Sequence, residues 1–126
     1  MAELMFYTYP SCTSCRKAKK WLTTNAVDFK ERHLFRETPN QDELLKLLSL
    51  TTEGLDEILA TRSESYKNLQ EDLNELPLSK VVQILIDEPK LLRRPILTDG
   101  KKLIVGYNPE SLKWLTHRRN VLMMSS

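Results

Sequence analysis

Apolar positions alternate between strand and helix spacing over the first fifty residues. A short apolar run from Leu4 to Thr8 ends before Pro10, which predicts a buried strand followed by a turn. From about Thr13 to Asn25 the apolar positions recur at helical spacing and oppose a basic side. The predicted apolar face consists of Cys15, Ala18, Leu22 and Ala26. Residues 27–34 predict a second strand, and a leucine-rich helix follows at Asn40.

The pattern changes from Thr51 to Leu76, where short amphipathic pieces predict a helical insertion. Pro77 is suited to the first turn of a further helix, which Pro89 ends. Two short apolar runs around Asp99-Gly100 predict a β-hairpin. The pair Asn108-Pro109 then supplies an N-cap and a first-turn proline for a last helix.

The predicted order is therefore β-α-β-α, an insertion, and then β-β-α. Parallel strands joined by helices indicate an α/β protein, and this order predicts a thioredoxin-like mixed sheet with a helical insertion in the middle. We expect the thioredoxin-like core at about residues 1–51 and 89–116, the insertion at about 52–88 and a C-terminal tail at about 117–126. A chain of 126 residues fits a single domain of this kind.

Composition favours a soluble protein, because 40% of the residues are hydrophobic and 29% are charged. No run approaches the roughly 18 apolar residues that a membrane span needs. The N-terminus, Met1-Ala2-Glu3, does not resemble a secretory signal. We therefore expect a cytoplasmic monomer, in a compartment that keeps most thiols reduced.

Charge is distributed unevenly along the chain. Acidic residues dominate from Glu53 to Glu75, whereas basic residues dominate from Lys90 to Lys102. The end of the chain adds Lys113, Arg118 and Arg119 without an acid. This pattern fits two solvated faces, and it also fits a protein partner at one end and phosphates near the other.

The chain has two cysteines, Cys12 and Cys15, so it is not a disulfide-stapled scaffold. A four-ligand zinc site would need two more ligands, and only His33 and His117 are available among the histidines. The pattern therefore disfavours a metal site, and we expect no cofactor.

The position of the pair indicates redox chemistry. Cys12 follows a strand and a turn and lies where a helix begins, so unpaired N–H groups and the helix dipole stabilise a thiolate there. Arg16 and Lys17 add positive charge nearby, and Cys15 lies one turn along, close enough for a disulfide. We predict that Cys12 attacks and that Cys15 is the buried resolving thiol. The alternative is a pair of inert structural cysteines.

Arg94-Pro95 lies where thioredoxin-type folds place a proline before a late strand. Such a proline packs against the cysteine turn, usually with a cis peptide bond, so we predict a cis bond here. Arg94 should then lie near the thiols, where a guanidinium could hold a thiolate, a sulfate-like anion or an oxidised sulfur. The alternative is an exposed arginine in a basic run.

The stretch from Tyr7 to Ala18 closely resembles the Spx-like regulators, which belong to the arsenate-reductase-related thioredoxin-fold family. The resemblance spans roughly residues 4–115, with its motifs in the expected order. The further matching stretches are Thr52–Ile58, Thr61–Ser63, Leu91–Ile96 and Val105–Asn108.

This resemblance implies a redox-sensing transcriptional regulator that binds the C-terminal domain of the RNA polymerase α subunit. It would activate thiol-stress and oxidative-stress promoters when Cys12-Cys15 is a disulfide, and interfere with some activators. The resemblance implies α-subunit contact at Gly54 and Arg62, and support of the redox centre by Arg94 with Pro95.

Two further partners are expected. Promoter DNA would be bound only jointly with polymerase, and the phosphate contacts would come from Lys113, Arg118 and Arg119. A proteolytic adaptor or protease is also a candidate partner in this family. The tail at residues 121–126 is shorter and less charged than many Spx tails, so the same degradation control is not assumed.

Without the resemblance, the sequence supports more modest roles for Gly54 and Arg62 than a contact with the α subunit. Gly54 follows a leucine helix and is a C-cap candidate with positive φ. A side chain there would clash either with the turn or with an approaching partner. Arg62 alone reads as a surface residue.

The chain departs from the arsenate-reducing relatives, which carry one catalytic cysteine and three oxyanion-binding arginines. Arg62 and Arg94 match two of these arginines, but the third would fall within residues 103–106 and is absent. Because a second cysteine is present instead, the pattern favours a regulator that is not an enzyme. A glutaredoxin-linked arsenate or thiol-disulfide reductase and a structural adaptor with idle thiols are the alternatives.

Overall fold

The computed structural model describes residues 4–115, which form a four-stranded sheet with helices on both faces. The strands are β1 (Met5–Thr8), β2 (Lys30–His33), β3 (Ile96–Thr98) and β4 (Leu103–Val105). The α-helices are α1 (Thr13–Thr24), α2 (Gln41–Ser49), α3 (Glu64–Lys67), α4 (Leu78–Asp87) and α5, which is described over residues 109–115. Short 3₁₀ helices span Leu55–Glu57, Leu73–Glu75 and Pro89–Leu91.

The strand order is β2-β1-β3-β4, with β1 parallel to β2 and antiparallel to β3, and with β3 antiparallel to β4. This mixed sheet confirms the predicted fold class and the predicted hairpin. The hairpin loop is held by Asp99, whose Oδ1 accepts hydrogen bonds from the amides of Lys101 and Lys102, each at 2.9 Å. The helix after Pro77 begins one residue later than predicted, because Pro77 is the N-cap and not part of the first turn.

Successive strand residues point to opposite faces of the sheet, so β1, β3 and β4 each contribute to two hydrophobic clusters, whereas β2 has only polar residues. Phe6, Leu97 and Ile104 pack with α1 and α5 on one face. On the other face, the neighbouring strand residues pack with α2 and with the insertion, which includes α4. They are Tyr7, Ile96 and Leu103. The insertion therefore shares its core with one face of the sheet.

The apolar face of α1 is one residue shorter than predicted. Cys15, Ala18 and Leu22 are buried as expected, but Ala26 is exposed. The helix ends at Thr24, and Ala26 lies beyond the C-cap with φ at +55°, in the left-handed region. Because the chain reverses there, helical spacing no longer determines which side Ala26 faces.

A polar network joins β1, β2 and α2. The Tyr7 hydroxyl donates to Glu43 at 2.9 Å, and Arg32 forms an ion pair with the same carboxylate. Burial, followed by the hydrogen bond to Glu43, raises the pKa of Tyr7 to about 12. Burial opposes ionisation of Glu43, but hydrogen bonds from Arg32, the Asn40 amide and Tyr7 outweigh it and lower the pKa of that carboxyl.

Candidate functional site

Cys12 is the N-cap residue of α1 and its thiol is partly exposed. Its backbone is extended, and its Sγ accepts a hydrogen bond from the Cys15 amide at 3.4 Å. The Cys12 amide in turn donates to the Tyr9 carbonyl at 3.0 Å, which closes the turn after β1. The sulfur therefore faces the unpaired N–H groups of a helix N-terminus, an arrangement that favours negative charge on it.

Cys15 lies one turn along and is 1% exposed. Burial raises the pKa of its thiol to about 11, although hydrogen bonds involving Thr8 and the Tyr9 backbone act in the opposite direction. Both cysteines are free thiols in the structure. Near neutral pH the buried thiol therefore keeps its proton while the outer sulfur is open to reagents.

The Arg94–Pro95 peptide bond is cis, which confirms the prediction from the sequence. The Arg94 side chain lies over the Phe35 ring, with its central carbon 5.3 Å from the ring centroid. Its Nη1 donates to the carbonyls of Lys90 and Leu92 at 3.4 and 3.3 Å. Its Nε is buried and has no hydrogen-bond partner within the described part of the chain.

Cys12 opens onto a groove of about 730 Å³ between α1, the insertion and the segment before Pro95. Arg62, Arg93 and Arg94 line this groove, and Asp56 contributes a carboxylate. The structure therefore brings Cys12, Arg62 and Arg94 together. Arg93 is an additional arginine that the sequence analysis did not single out, although the doubled arginine before the proline was a visible signal.

Gly54 is not a helix C-cap, contrary to the sequence-based interpretation. Helix α2 ends at Ser49 with Leu50 as its C-cap, and Gly54 precedes the 3₁₀ helix Leu55–Glu57. Its backbone has φ 87° and ψ −158°, a combination that essentially only glycine adopts, so the positive φ is confirmed.

The predicted steric clash at Gly54 with its own turn is wrong, because a Cβ atom there would meet no atom within 4 Å. Gly54 lines a second groove of about 390 Å³, whose other walls are mostly leucine side chains. These are Leu45, Leu48, Leu55, Leu73, Leu76 and Leu78. Arg62 lines the groove at Cys12 instead, so the two residues expected at the α-subunit contact lie in different grooves.

The structure describes only some of the remaining candidates, which are the predicted phosphate contacts and the two histidines. Lys113 is exposed on α5, whereas Arg118, Arg119 and His117 lie outside the described residues. The His33 Nδ1 accepts hydrogen bonds from the amides of Phe35 and Arg36 at 3.2 and 3.1 Å, so this ring nitrogen already serves the turn after β2. Over residues 4–115, no three His, Cys, Asp or Glu side chains form a group that could hold a metal ion.

Comparison with known proteins identifies the family. A model of the ArsC family matches residues 7–115. The chain belongs to the ArsC family. Within it, the chain is 58% identical over 119 residues to the regulatory protein MgsR of Bacillus subtilis, covering 94% of each chain. It is 45% identical over 113 residues to the global transcriptional regulator Spx of Listeria innocua, covering 90% of this chain and 86% of that one.

Solved structures show the same fold. An ArsC-family-related protein from Bacteroides fragilis is 28% identical with a TM-score of 0.80, covering 90% of this chain and 97% of that chain. An arsenate reductase from Vibrio cholerae is 23% identical with a TM-score of 0.73, covering 87% and 94%. The described part of this ArsC-family chain contains no helix long and apolar enough to cross a membrane. Its similarity to Spx and MgsR supports a role in transcriptional regulation.

Proposed function

We propose that this chain is a redox-sensing transcriptional regulator that binds the C-terminal domain of the RNA polymerase α subunit. In this proposal it activates thiol-stress and oxidative-stress promoters when Cys12 and Cys15 form a disulfide, and it interferes with some activators. The observation that carries the proposal is the arrangement of the thiols: Cys12 caps α1 at the surface, and Cys15 is buried one turn later. Its similarity to proteins named as transcriptional regulators supports the regulatory part.

The switch has a balanced chemical description when a hydroperoxide is the oxidant. The Cys12 thiolate attacks the peroxide oxygen, the O–O bond breaks, and an alcohol leaves after taking up a proton, so that Cys12 becomes a sulfenic acid. The Cys15 sulfur, once deprotonated, attacks the Cys12 sulfur and displaces hydroxide, which leaves as water. Two thiols and one hydroperoxide thus give one disulfide, one alcohol and one water.

Gly54 supports the α-subunit part of the proposal. Open space above its Cα lets a partner backbone approach closely, and the adjoining groove offers leucine side chains for an apolar contact. Acidic residues border this region, so a partner with basic residues around an apolar centre would fit it. The nearby acids include Glu53, Asp56, Glu57, Asp72 and Glu75.

Binding of the α-subunit domain to two Gly54 variants tests this contact. Gly54→Arg and Gly54→Ala suffer the same backbone strain, but only arginine adds bulk above the groove. We expect the arginine variant to lose binding by at least about tenfold relative to the alanine variant, as for a substitution inside a contact. Equal binding by the two variants, measured by titration, would count against the proposed interface.

A second candidate function is that of a glutaredoxin-linked arsenate or thiol-disulfide reductase. The observation in its favour is the third guanidinium in the groove, because Arg93 accompanies Arg62 and Arg94 beside Cys12. The absence of an arginine at residues 103–106 therefore argues less strongly against anion binding than the sequence suggested. A coupled assay with glutaredoxin decides between the two: steady arsenate consumption favours the enzyme, and negligible turnover removes it.

Contact with promoter phosphates is the remaining part of the proposal. Lys113 is exposed on α5, and Arg118 and Arg119 follow it in the sequence. If these cations contact phosphates, promoter binding in the polymerase complex weakens steeply as salt rises. Neutralising Arg118 and Arg119 should then reduce the salt dependence, and an unchanged salt dependence would contradict this role.

A further inference from the structure

The segment at residues 58–60, directly after the 3₁₀ helix Leu55–Glu57, is hydrogen-bonded to the segment that leads into the cis proline. Ala60 N donates to Leu91 O at 2.7 Å, and Arg93 N donates to Ile58 O at 2.9 Å. These bonds connect two regions with different proposed tasks. One end carries the loop at Gly54, and the other continues directly into the redox centre.

The Arg93 side chain extends this connection. Its Nη1 donates to the Glu57 carbonyl at 3.4 Å, while the same residue lines the groove that contains Cys12. Its Nη2 lies 3.2 Å from the position that a Cβ atom on Gly106 would occupy. Glycine at position 106 therefore leaves the space in which the guanidinium lies.

Glu57 in turn closes the loop that carries Gly54. Its amide donates to the Gly54 carbonyl at 3.1 Å. Its carboxylate accepts from the Thr52 amide at 2.9 Å and from the Thr52 hydroxyl at 3.4 Å. A shift of Glu57 would therefore move both ends of the loop at residues 52–57.

We propose that Arg93 is a positioning residue that couples the redox state of Cys12 to the loop around Gly54. This role rests on the proposed function, in which that loop contacts the α subunit. A thiolate at Cys12 attracts the guanidinium groups of the groove, whereas a neutral disulfide does not. Oxidation by a hydroperoxide, in the step written above, therefore frees Arg93 to bind the Glu57 carbonyl more tightly, which orders the loop.

Hydrogen exchange tests the coupling without any partner. The amides of Glu57 and Ile58 donate within the 3₁₀ helix, to Gly54 and Leu55, and their exchange reports its opening. We expect exchange at these amides to slow by at least about threefold on oxidation of the wild type, and this difference to vanish in Arg93→Met. Arg36→Met removes the same charge from an exposed residue outside the groove and should keep the wild-type difference.

The affinity of the α-subunit domain for the reduced and the oxidised protein gives a second readout. Linkage requires that the ratio of the two affinities equal the shift in the thiol-disulfide equilibrium on adding the domain, and we expect a factor of about ten for the wild type. Arg93→Met should bring both quantities close to one. Gly106→Ala should lower them by less than Arg93→Met, because a methyl group 3.2 Å from Arg93 Nη2 shifts the guanidinium only slightly.

The outcomes separate the two proposals. If the domain binds neither redox state, the proposed α-subunit contact fails, and the exchange measurement still decides the role of Arg93. If oxidation leaves the exchange of Glu57 and Ile58 unchanged in the wild type, the coupling is wrong. A folded Arg93→Met protein that keeps the wild-type difference would also overturn it.

Discussion

The sheet and the insertion at residues 52–88 are held together in different ways. In the sheet, β1 lies between β2 and β3, and its side chains enter a hydrophobic cluster on each face. The insertion has only short helices before α4. It is joined to the rest by a bridge between Leu59 and Leu92 and by buried side chains, mostly from α4, in the hydrophobic cluster on one face of the sheet. The cysteine pair is therefore held in place by the sheet. The Gly54 loop depends instead on local capping and on the seam, the contact between residues 58–60 and 91–93.

This difference suits the proposed redox sensor. The thiols need a rigid setting, because a helix N-terminus and a buried neighbour determine their reactivity. A surface that responds to them needs elements that shift at small cost, and such elements have few long-range contacts. The seam near Leu59 and Arg93 is where the two requirements meet.

Truncating a buried side chain at the seam should cause the largest loss of stability. Leu59→Ala removes a side chain that is 1% exposed, and such a truncation lowers the free energy of unfolding by about 2–5 kcal/mol. Leu78→Ala is the matched control in the same insertion, because Leu78 is 53% exposed and its loss should cost under about 0.5 kcal/mol. Urea denaturation should show one shared transition for sheet and insertion. Two separated transitions in the wild type would mean that the insertion is independent.

The free energy of unfolding of the reduced protein should fall at high pH, because the Cys15 thiol is buried beside the sheet. Folding raises the pKa of Cys15 from 9.0 to about 11, so its contribution to stability is complete below pH 9 and is lost as the pH rises to 11. Between about pH 8 and pH 10.5 the reduced wild type should lose about 2 kcal/mol more than Cys15→Ala, from the size of that shift. Urea titrations at the two pH values measure this, and equal losses would contradict the burial of a neutral thiol.

The stabilisation that the polar network of Tyr7, Arg32 and Glu43 gives should be lost in acid. Glu43→Gln removes the charge that Arg32 and Tyr7 share, at a cost of about 1.5 kcal/mol near pH 7. Because folding lowers the pKa of Glu43 below 4.5, this advantage is present above pH 4.5 and is lost as the pH falls further. Unfolding measured from about pH 7 to pH 3.5 should show the gap narrowing. Glu75→Gln, at an exposed position in the insertion, should show neither effect.

Removing a helix N-cap should reduce global stability less in the insertion than at α2, which packs against the sheet. Asn40 forms a reciprocal capping box with Glu43 at the start of α2, so Asn40→Ala should cost about 1 kcal/mol. Ser63 caps α3, which has four residues and none buried, so Ser63→Ala should cost under about 0.5 kcal/mol, limited by local opening. The sign of a local effect would be faster exchange of the Tyr66 amide. A larger global loss for Ser63→Ala would reverse the comparison.

Much of the sheet half could be predicted from the sequence. Strand runs, the cysteines at a helix start and the proline before β3 each leave a local pattern, and these agree with the structure. The exception is β2, which spans only Lys30–His33 of the predicted residues 27–34. Ala26 was misplaced because spacing alone does not show where a helix ends. Gly54 was wrongly predicted to be the C-cap of α2. Its positive φ occurs at the start of a 3₁₀ helix several residues later.

The seam could not be predicted in the same way. Arg93 meets Glu57 across 36 residues of sequence, and Gly106 makes room for it from a third segment. No periodicity brings these positions together, since their proximity follows from packing between the insertion and the sheet. The sequence therefore pointed to the cysteine pair, whereas the contact between Arg93 and Glu57 is visible only in the fold.

Transcription in vitro with purified polymerase and a thiol-stress promoter tests the central claim most directly. The comparison uses reduced protein, oxidised protein and Cys12→Ser under the same oxidant. We predict that only the oxidised wild type activates the promoter, because only it contains the Cys12-Cys15 disulfide. Activation of the same size by reduced protein or by Cys12→Ser would contradict a redox switch at this pair.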